Sequence, residues 1–372
     1  MIPVFKPLFS GKEKKYLNNC IKDKWISSNG KYNLRLEKSF SNLVSRKYSS
    51  AISNGTVALE VALKALNLPV GSEVIVPTFT IISPILAILR NNLQPVFVDM
   101  EKKYLTMSVD EIEKKITKNT KAIIVVHIYG FPSDMKKILK IKNKYKLKLI
   151  EDASEMHGQK YYNKPCGSFG DISTFSFYSN KFISSGEGGI VTTDSKYLKG
   201  RIDRLRNLSF GRKNRFLHED LGYNFRMSNI QAAIGYAQLG NLKKIVKKKR
   251  EIGKLYNFLF KKNNLIETMP YECVYSKNIY WVYGILVKNN KKKKLVEFLN
   301  KQNIETRDYF VCMHNQPILK KLKIIKKQDR YPVSEHLEKS GIYIPSGPNI
   351  SKKEIKFIAS KINQFCASID NK

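Results

Sequence analysis

Short apolar runs rich in β-branched residues alternate with stretches of helical periodicity through roughly the first 200 residues. That alternation predicts an α/β fold, with parallel strands joined by crossover helices. Strands are predicted at Glu73–Pro77, Pro95–Asp99, Ala122–His127, Leu147–Glu151, Thr174–Tyr178 and Gly189–Thr192. Most are continuous apolar runs, as strands buried on both faces require. Ser10 with Glu13 and Ser108 with Glu111 have capping-box spacing and predict two helix starts. Ile355, Ile358, Ile362 and Phe365 recur on one face of a final helix. Around Asn241–Arg250 the pattern becomes Lys-rich and helical, and a shorter set of strands and helices fills the remaining third. The chain is therefore expected to divide into a large domain, 1–240, and a smaller C-terminal domain, 241–372. It has no internal repeat, no G-x-G-x-x-G after an early strand and no Walker loop, so a nicotinamide, flavin or P-loop nucleotide site is not indicated.

Composition adds a charge excess: Lys and Arg number 67 against 31 Asp and Glu, a net +36. Such a balance suits an anionic partner, whether nucleic acid, membrane surface or phosphorylated small molecule, without choosing among them. Lys and Asn fill nearly every permissive surface position, so compositional drift accounts for much of the excess. The best apolar run, Ile81–Leu89, is short and broken by Ser83 and Pro84, far from the ~20 residues of a membrane helix. The N-terminal MIPVFKPLF has no signal-peptide pattern, and a cytoplasmic location is expected. Cys20, Cys166, Cys273, Cys312 and Cys366 form no C-x-x-C pair and read as free thiols. The histidines are equally dispersed, and no metal site is expected.

Three segments carry candidate chemistry. Ser53-Asn54-Gly55-Thr56 precedes the helical run VALEVALKAL, placing backbone N–H groups at a helix N-terminus, where phosphate binds; the same tetrapeptide also reads as a plain turn and cap. Asp152 ends an apolar strand, at the sheet edge where open α/β folds bind ligands; it also reads as a cap for the next helix. Lys181 follows the aromatic strand SFYSN and precedes Gly186-Glu187-Gly188-Gly189; taken alone it reads as a solvated lysine. Together they match the needs of pyridoxal phosphate. Its phosphate needs N–H donors, its ring nitrogen an anionic partner, and its aldehyde an amine.

With these three segments in place, the chain resembles the DegT/DnrJ/StrS nucleotide-sugar aminotransferases over nearly its whole length. The resemblance is carried by WISSNG (25–30), SNGTVAL (53–59), EVIVPTFT (73–80), the VDM run ending at Met100, VVHIYG (125–130), EDASEMHG (151–158), GSFGDISTFSFYSNK (167–181), SGEGG (185–189) and GYNFRMSNIQAAIG (222–235). Within the family the chain looks most like the C4 aminotransferases of nucleotide-linked 4-keto-6-deoxyhexoses, of the perosamine and viosamine type. The resemblance implies a fold-type I architecture, with a large, mostly parallel sheet domain and a smaller C-terminal α/β domain. It implies that Lys181 bonds the cofactor aldehyde and Asp152 pairs with the pyridine nitrogen. Gly55, Thr56 and Ser176 would hold the phosphate, and Glu155 would lie near the ring hydroxyl. Asn224 would reach the cofactor phosphate of a partner subunit, making a homodimer the active unit. Trp25, Ser27, Arg226 and His314 are candidates for the sugar-nucleotide cleft, with a local loop role open for His314 and a carboxylate partner open for Arg226. Ile81 stands where many relatives stack an aromatic ring on the pyridine, with Phe79 as a possible substitute.

The reaction implied is a ping-pong transfer from L-glutamate, leaving 2-oxoglutarate, to C4 of a UDP-, dTDP- or GDP-linked keto sugar. Dehydratase relatives have histidine where this chain has Lys181, which favours transamination over a dehydratase; a C3 aminotransferase and a non-catalytic regulator are further readings. Lys247–Arg250, Lys291–Lys294 and Lys320–Lys327 raise a nucleic-acid reading, but no nucleic-acid-binding pattern accompanies them. They are read as solvated helix faces, and neither nucleic acid nor membrane is expected as a partner.

Overall fold

The computed structural model describes residues 1–211, 214–325 and 329–370. Among these, seven strands form one sheet in the order Tyr48–Ile52, Gly189–Thr193, Ile172–Ser176, Lys148–Asp152, Thr120–Val126, Glu73–Pro77, Gln94–Val98. The pairings from Ile172–Ser176 outward to Gln94–Val98 are parallel, whereas Gly189–Thr193 runs antiparallel to both of its neighbours. The expected α/β class with a mostly parallel sheet is thus observed.

One strand carries no apolar signal in the sequence, and several ends differ from those expected. Tyr48–Ile52 has Ser49 and Ser50 at its centre, yet both are buried. Ser49 Oγ donates to the Glu37 carbonyl at 2.6 Å and Ser50 Oγ to Asp203 at 2.7 Å, which satisfies the hydroxyls inside the sheet. The strand expected at Thr174–Tyr178 spans Ile172–Ser176, because its ladder with Gly189–Thr193 ends at the Ser176–Gly189 pair. Neither predicted capping box forms as expected. Helix Lys12–Lys22 starts after Gly11 in a left-handed conformation (φ 87°), and Glu13 reaches back to Ser10 beyond it. Glu111 receives the Asp99 N–H instead of Ser108. A complete box joins Ser228 and Gln231 at the head of the 32-residue helix Asn229–Phe260.

Strand alternation splits the core between the two faces of the sheet. Val74, Val76, Ile124 and Ile150 pack with helix Gly55–Leu66 and the Asn229–Phe260 helix; Ile75, Ile123 and Leu149 pack with Met135, Ile138 and Ile141 on the other side. A separate core holds the C-terminal sheet, ordered Ile266–Thr268, Tyr283–Val287, Gly341–Ile344, Arg307–Asp308. There Ile355, Ile358, Ile362 and Phe365 of helix Lys352–Asp370 are buried as their spacing predicts. The expected domain boundary at 240/241 falls within the unbroken helix Asn229–Phe260, and the N-terminal Ile2 and Val4 bond to Asn303 and Glu305 of the C-terminal part. Asp99, at the end of the sheet, accepts the N–H groups of Val333 and Ser334 and so docks helix Pro332–Ser340 of the C-terminal part against the large sheet.

No helix among the described residues is long and apolar enough to cross a membrane. Cys20, Cys166, Cys273 and Cys312 are free thiols. The Lys247–Arg250 run is not wholly a solvated face, since Lys249 is fully buried and Arg250 donates to Gln159 Oε1 at 3.2 Å. Lys326 and Lys327 of the third cluster lie outside the described residues.

Lys249 donates to the Ser346 carbonyl and hydroxyl, and burial pushes its amine down to about 7. The unfolded chain keeps that proton up to the ordinary lysine value near ~10.4. Between those values the unfolded state binds more protons than the native state, so stability from this residue rises with pH. Denaturant unfolding of wild type and Lys249→Met at about pH 7 and about pH 9.5 should show wild type gaining on the variant by up to ~1.4 kcal/mol per pH unit. An unchanged gap would show that the native amine is charged throughout.

Candidate active site

The C-terminal edge of the parallel strands opens into a cavity of about 710 Å³ that meets the C-terminal part of the chain. Its first wall is the turn into helix Gly55–Leu66. Asn54 caps that helix, its side chain accepting the Val57 N–H at 3.0 Å, so the capping alternative holds for Asn54. Gly55 and Thr56, the first helical residues, line the cavity and have backbone N–H groups with no partner inside the helix. A Cβ on Gly55 would lie 2.6 Å from Ser176 Cβ and 3.2 Å from Ser176 Cα, so only glycine permits this approach. Thr56 Oγ1 meets Ser83 Oγ at 2.8 Å, and Ser176 and Arg90 complete this wall.

Asp152 ends its strand at the cavity floor. Burial pushes its carboxyl up, opposed by Ser154, whose N–H and hydroxyl donate to Oδ1 at 3.1 and 2.6 Å. Those contacts leave the Oδ2 lone pairs for another donor. Glu155 accepts the Tyr129 N–H at 2.7 Å, and burial pushes it up to about 7. Lys181 Nζ lies 3.7 Å from Glu155 Oε1; burial lowers the amine's pKa against the pull of Glu155 and Asp152. Lys181 is thus a largely enclosed amine, its side chain 12% exposed, and not a solvated lysine. Behind the floor, His157 packs among Phe40, Phe175 and Phe177, and burial holds it neutral, down to about 3.

Glu151 faces the other way along the strand. Its carboxylate accepts from His127 Nε2, Ser173 Oγ and the N–H groups of Gly167, Phe169 and Gly170. Burial alone would raise its pKa, but His127, Gly167 and Phe169 hold it below the usual carboxylate range. His127 Nδ1 in turn accepts the Ser133 N–H. His127, Glu151 and Cys166 lie close enough to suggest a metal cluster. The lone pairs of the first two are spent within the protein, and Cys166 is kept a thiol by burial.

Of the residues expected at the site, Gly55, Thr56, Ile81, Asp152, Glu155, Ser176 and Lys181 line this cavity. Phe79 does not substitute for Ile81: the strand ends at Pro77, and Phe79 is buried against Tyr129, Tyr309 and Phe310. Trp25, Ser27, Asn224, Arg226 and His314 are not in the cavity wall. Trp25 and Ser27 lie on the surface, their carbonyls accepting from Asn229. Asn224 is exposed beside Asn207, and Arg226 donates to Asn207 Oδ1 at 2.8 Å, an amide and not a carboxylate. His314 Nδ1 meets Thr78 Oγ1 at 2.8 Å and Nε2 lies 3.2 Å from Glu335, in a second cavity with Lys292 and Asp308. Trp281, Arg307, Phe310 and Tyr343 also line the active cavity without having been expected there. They come from the C-terminal part, and nothing in their local sequence points to a cavity built from residues about a hundred positions upstream or more.

The residues present fit pyridoxal phosphate: a helix N-terminus cleared by glycine, a strand-end carboxylate with an open oxygen, and a buried amine. The chain belongs to the DegT/DnrJ/EryC1/StrS aminotransferase family, whose model matches residues 8–363. It is 41% identical over 366 residues to the GDP-perosamine synthase of Escherichia coli O157:H7, and the match takes in 98% of each chain. It is 37% identical over 372 residues to the GDP-perosamine synthase of Vibrio cholerae, across 98% of this chain and 99% of that one. The solved structure of Helicobacter pylori PseC, an aminotransferase involved in the biosynthesis of pseudoaminic acid, has a TM-score of 0.93 over 99% of both chains; at 23% identity this is a likeness of fold. The protein is a pyridoxal 5′-phosphate-dependent aminotransferase.

Gly55→Ala should weaken pyridoxal phosphate binding about tenfold or more, since the added methyl overlaps Ser176 and displaces the helix start. Titration of the visible absorption band measures this. Affinity within about twofold of wild type would place the phosphate elsewhere.

Proposed function

We propose that the protein transfers the amino group of L-glutamate to C4 of a GDP-linked 4-keto-6-deoxyhexose, yielding a GDP-linked 4-amino-4,6-dideoxyhexose such as perosamine. The chemistry rests on one observation above all: a largely enclosed Lys181 amine 3.7 Å from Glu155 in the cavity that Asp152 also lines. The choice of guanosine and of C4 is supported by the two GDP-perosamine synthases that match nearly end to end.

When bound, pyridoxal phosphate supplies an aldehyde for the amino group and a protonated ring that takes up the charge of a deprotonated α-carbon. The Gly55 and Thr56 N–H groups, with the Thr56 and Ser176 hydroxyls, hold the phosphate at the helix N-terminus. Asp152, oriented by Ser154, keeps the proton on the ring nitrogen. Glu155, which burial pushes up to about 7, would lie near the ring hydroxyl. Lys181 would hold the group at its aldehyde, and its freed amine would be the base that takes the proton from the donor α-carbon and the acid that gives it back. With the keto sugar the same amine moves the proton the opposite way. Ile81, in the cavity wall, would offer the ring an aliphatic contact.

Asn224, exposed and outside its own chain's cavity, is assigned to the cofactor phosphate of a partner subunit in a homodimer. Trp25, Ser27 and Arg226 are assigned to the nucleotide end of the same shared cleft. His314, bonded to Thr78, serves its own loop.

Purified protein with pyridoxal phosphate should show a visible band that bleaches on adding glutamate, and GDP-4-keto-6-deoxymannose should restore it. Lys181→Ala should lack the band and lose about 10³-fold or more in turnover. Normal turnover by that variant would remove the lysine's role; turnover only with a dTDP- or UDP-linked sugar, or amination at C3, would overturn the substrate.

A further inference from the structure

The Lys181 amine has a neighbour that the proton transfers of transamination leave unused. Nζ lies 3.9 Å from the centroid of the Trp281 ring, over its face, well inside the ~6 Å over which a ring quadrupole holds a cation. The ring itself is fixed. Its Nε1–H donates to the Asn180 carbonyl at 3.0 Å, Tyr129 stacks on it at 6.0 Å, and it is buried. Because Asn180 directly precedes Lys181, one peptide segment orients both the indole and the amine.

The other groups acting on this amine are Glu155, Asp152 and His157, with the Tyr129 and Tyr343 phenols beside Glu155. Glu155 at 3.7 Å is an ion pair longer than a hydrogen bond, and burial keeps His157 neutral and both phenols protonated. The indole is therefore the surface against which the amine rests. A proton-shuttling amine must be held in place without surrendering its proton. A carboxylate in direct hydrogen bond competes for that proton; an aromatic face attracts the ammonium form, is nearly indifferent to the neutral amine and is too weak a base to take the proton.

We propose that Trp281 is a positioning residue for Lys181: its indole face seats the amine while it carries the proton moved between the two carbons, and lets it go once the proton is delivered. The proton passes from one carbon to Nζ and from Nζ to the other, and Trp281 is chemically unchanged. This inference rests on the proposed transamination.

The chain has two tryptophans, so in full-length Trp25→Phe protein freed of cofactor, where the Lys181 amine is unbonded, the indole emission reports Trp281 alone. Its emission should titrate with pH, and that titration should vanish when Lys181→Met is added. In steady state, Trp281→Leu should lower kcat about tenfold with KM for glutamate and keto sugar within about twofold, and Trp281→Phe, which keeps an aromatic face, should recover at least about a third of wild-type kcat. Emission indifferent to pH or to Lys181→Met overturns the proposal, as does a Phe variant no better than Leu. If wild-type protein forms no visible band with pyridoxal phosphate, the transamination reading fails and takes this inference with it; a normal band and turnover with a silent Trp281 defeats this inference alone.

Discussion

The buried carboxylate of Glu151 holds the cavity floor together. By accepting hydrogen bonds from His127, Ser173 and the N–H groups of Gly167, Phe169 and Gly170, it ties the ends of two parallel strands and the start of a third to the loop that feeds the third. A fully desolvated charge is tolerable only with its acceptor capacity filled, and removing it would leave those donors unpaired. Strand alternation does the rest: with Glu151 turned into this network, Asp152 must face the other side, where the cavity opens.

The chemistry comes from placing ionisable groups in the buried wall of that cavity. Burial pushes the carboxyls of Asp152 and Glu155 up and the amine of Lys181 down, so the charge states that would be fixed in water are brought close together. Glu155, pushed up to about 7, is the member of this set whose protonation changes near neutral pH, beside an amine that must accept and return a proton. Away from the cavity, the net charge of +36 favours approach of a diphosphate substrate through long-range steering, an effect on rate and not on recognition.

The fold is legible in the chain to the extent that hydrophobicity is periodic. Glu73–Pro77 is placed to the residue, and the buried face of Lys352–Asp370 is correctly read, because both are stretches whose local pattern matches their burial. Tyr48–Ile52 is not, since its central serines are buried only through partners outside the strand, Glu37 and Asp203. The expected domain boundary lies at a change of composition, and a continuous helix crosses it, because backbone hydrogen bonding ignores which side chains a helix presents.

The class of chemistry is written in local features alone. A glycine opening a helix, an aspartate ending an apolar strand and a lysine after an aromatic one are each tied to backbone geometry, and all three line one cavity. The surroundings of the amine are set by packing over long range instead. Trp281, Arg307 and Tyr343 reach the cavity because the C-terminal part docks on the large sheet through contacts such as Asp99 with Val333 and Ser334. His314, a weaker cleft candidate in the sequence with a loop role left open, is drawn by the same docking to Thr78 and lines a different cavity. Long-range packing brings such residues together or parts them, and it leaves no periodicity in the chain by which they can be found.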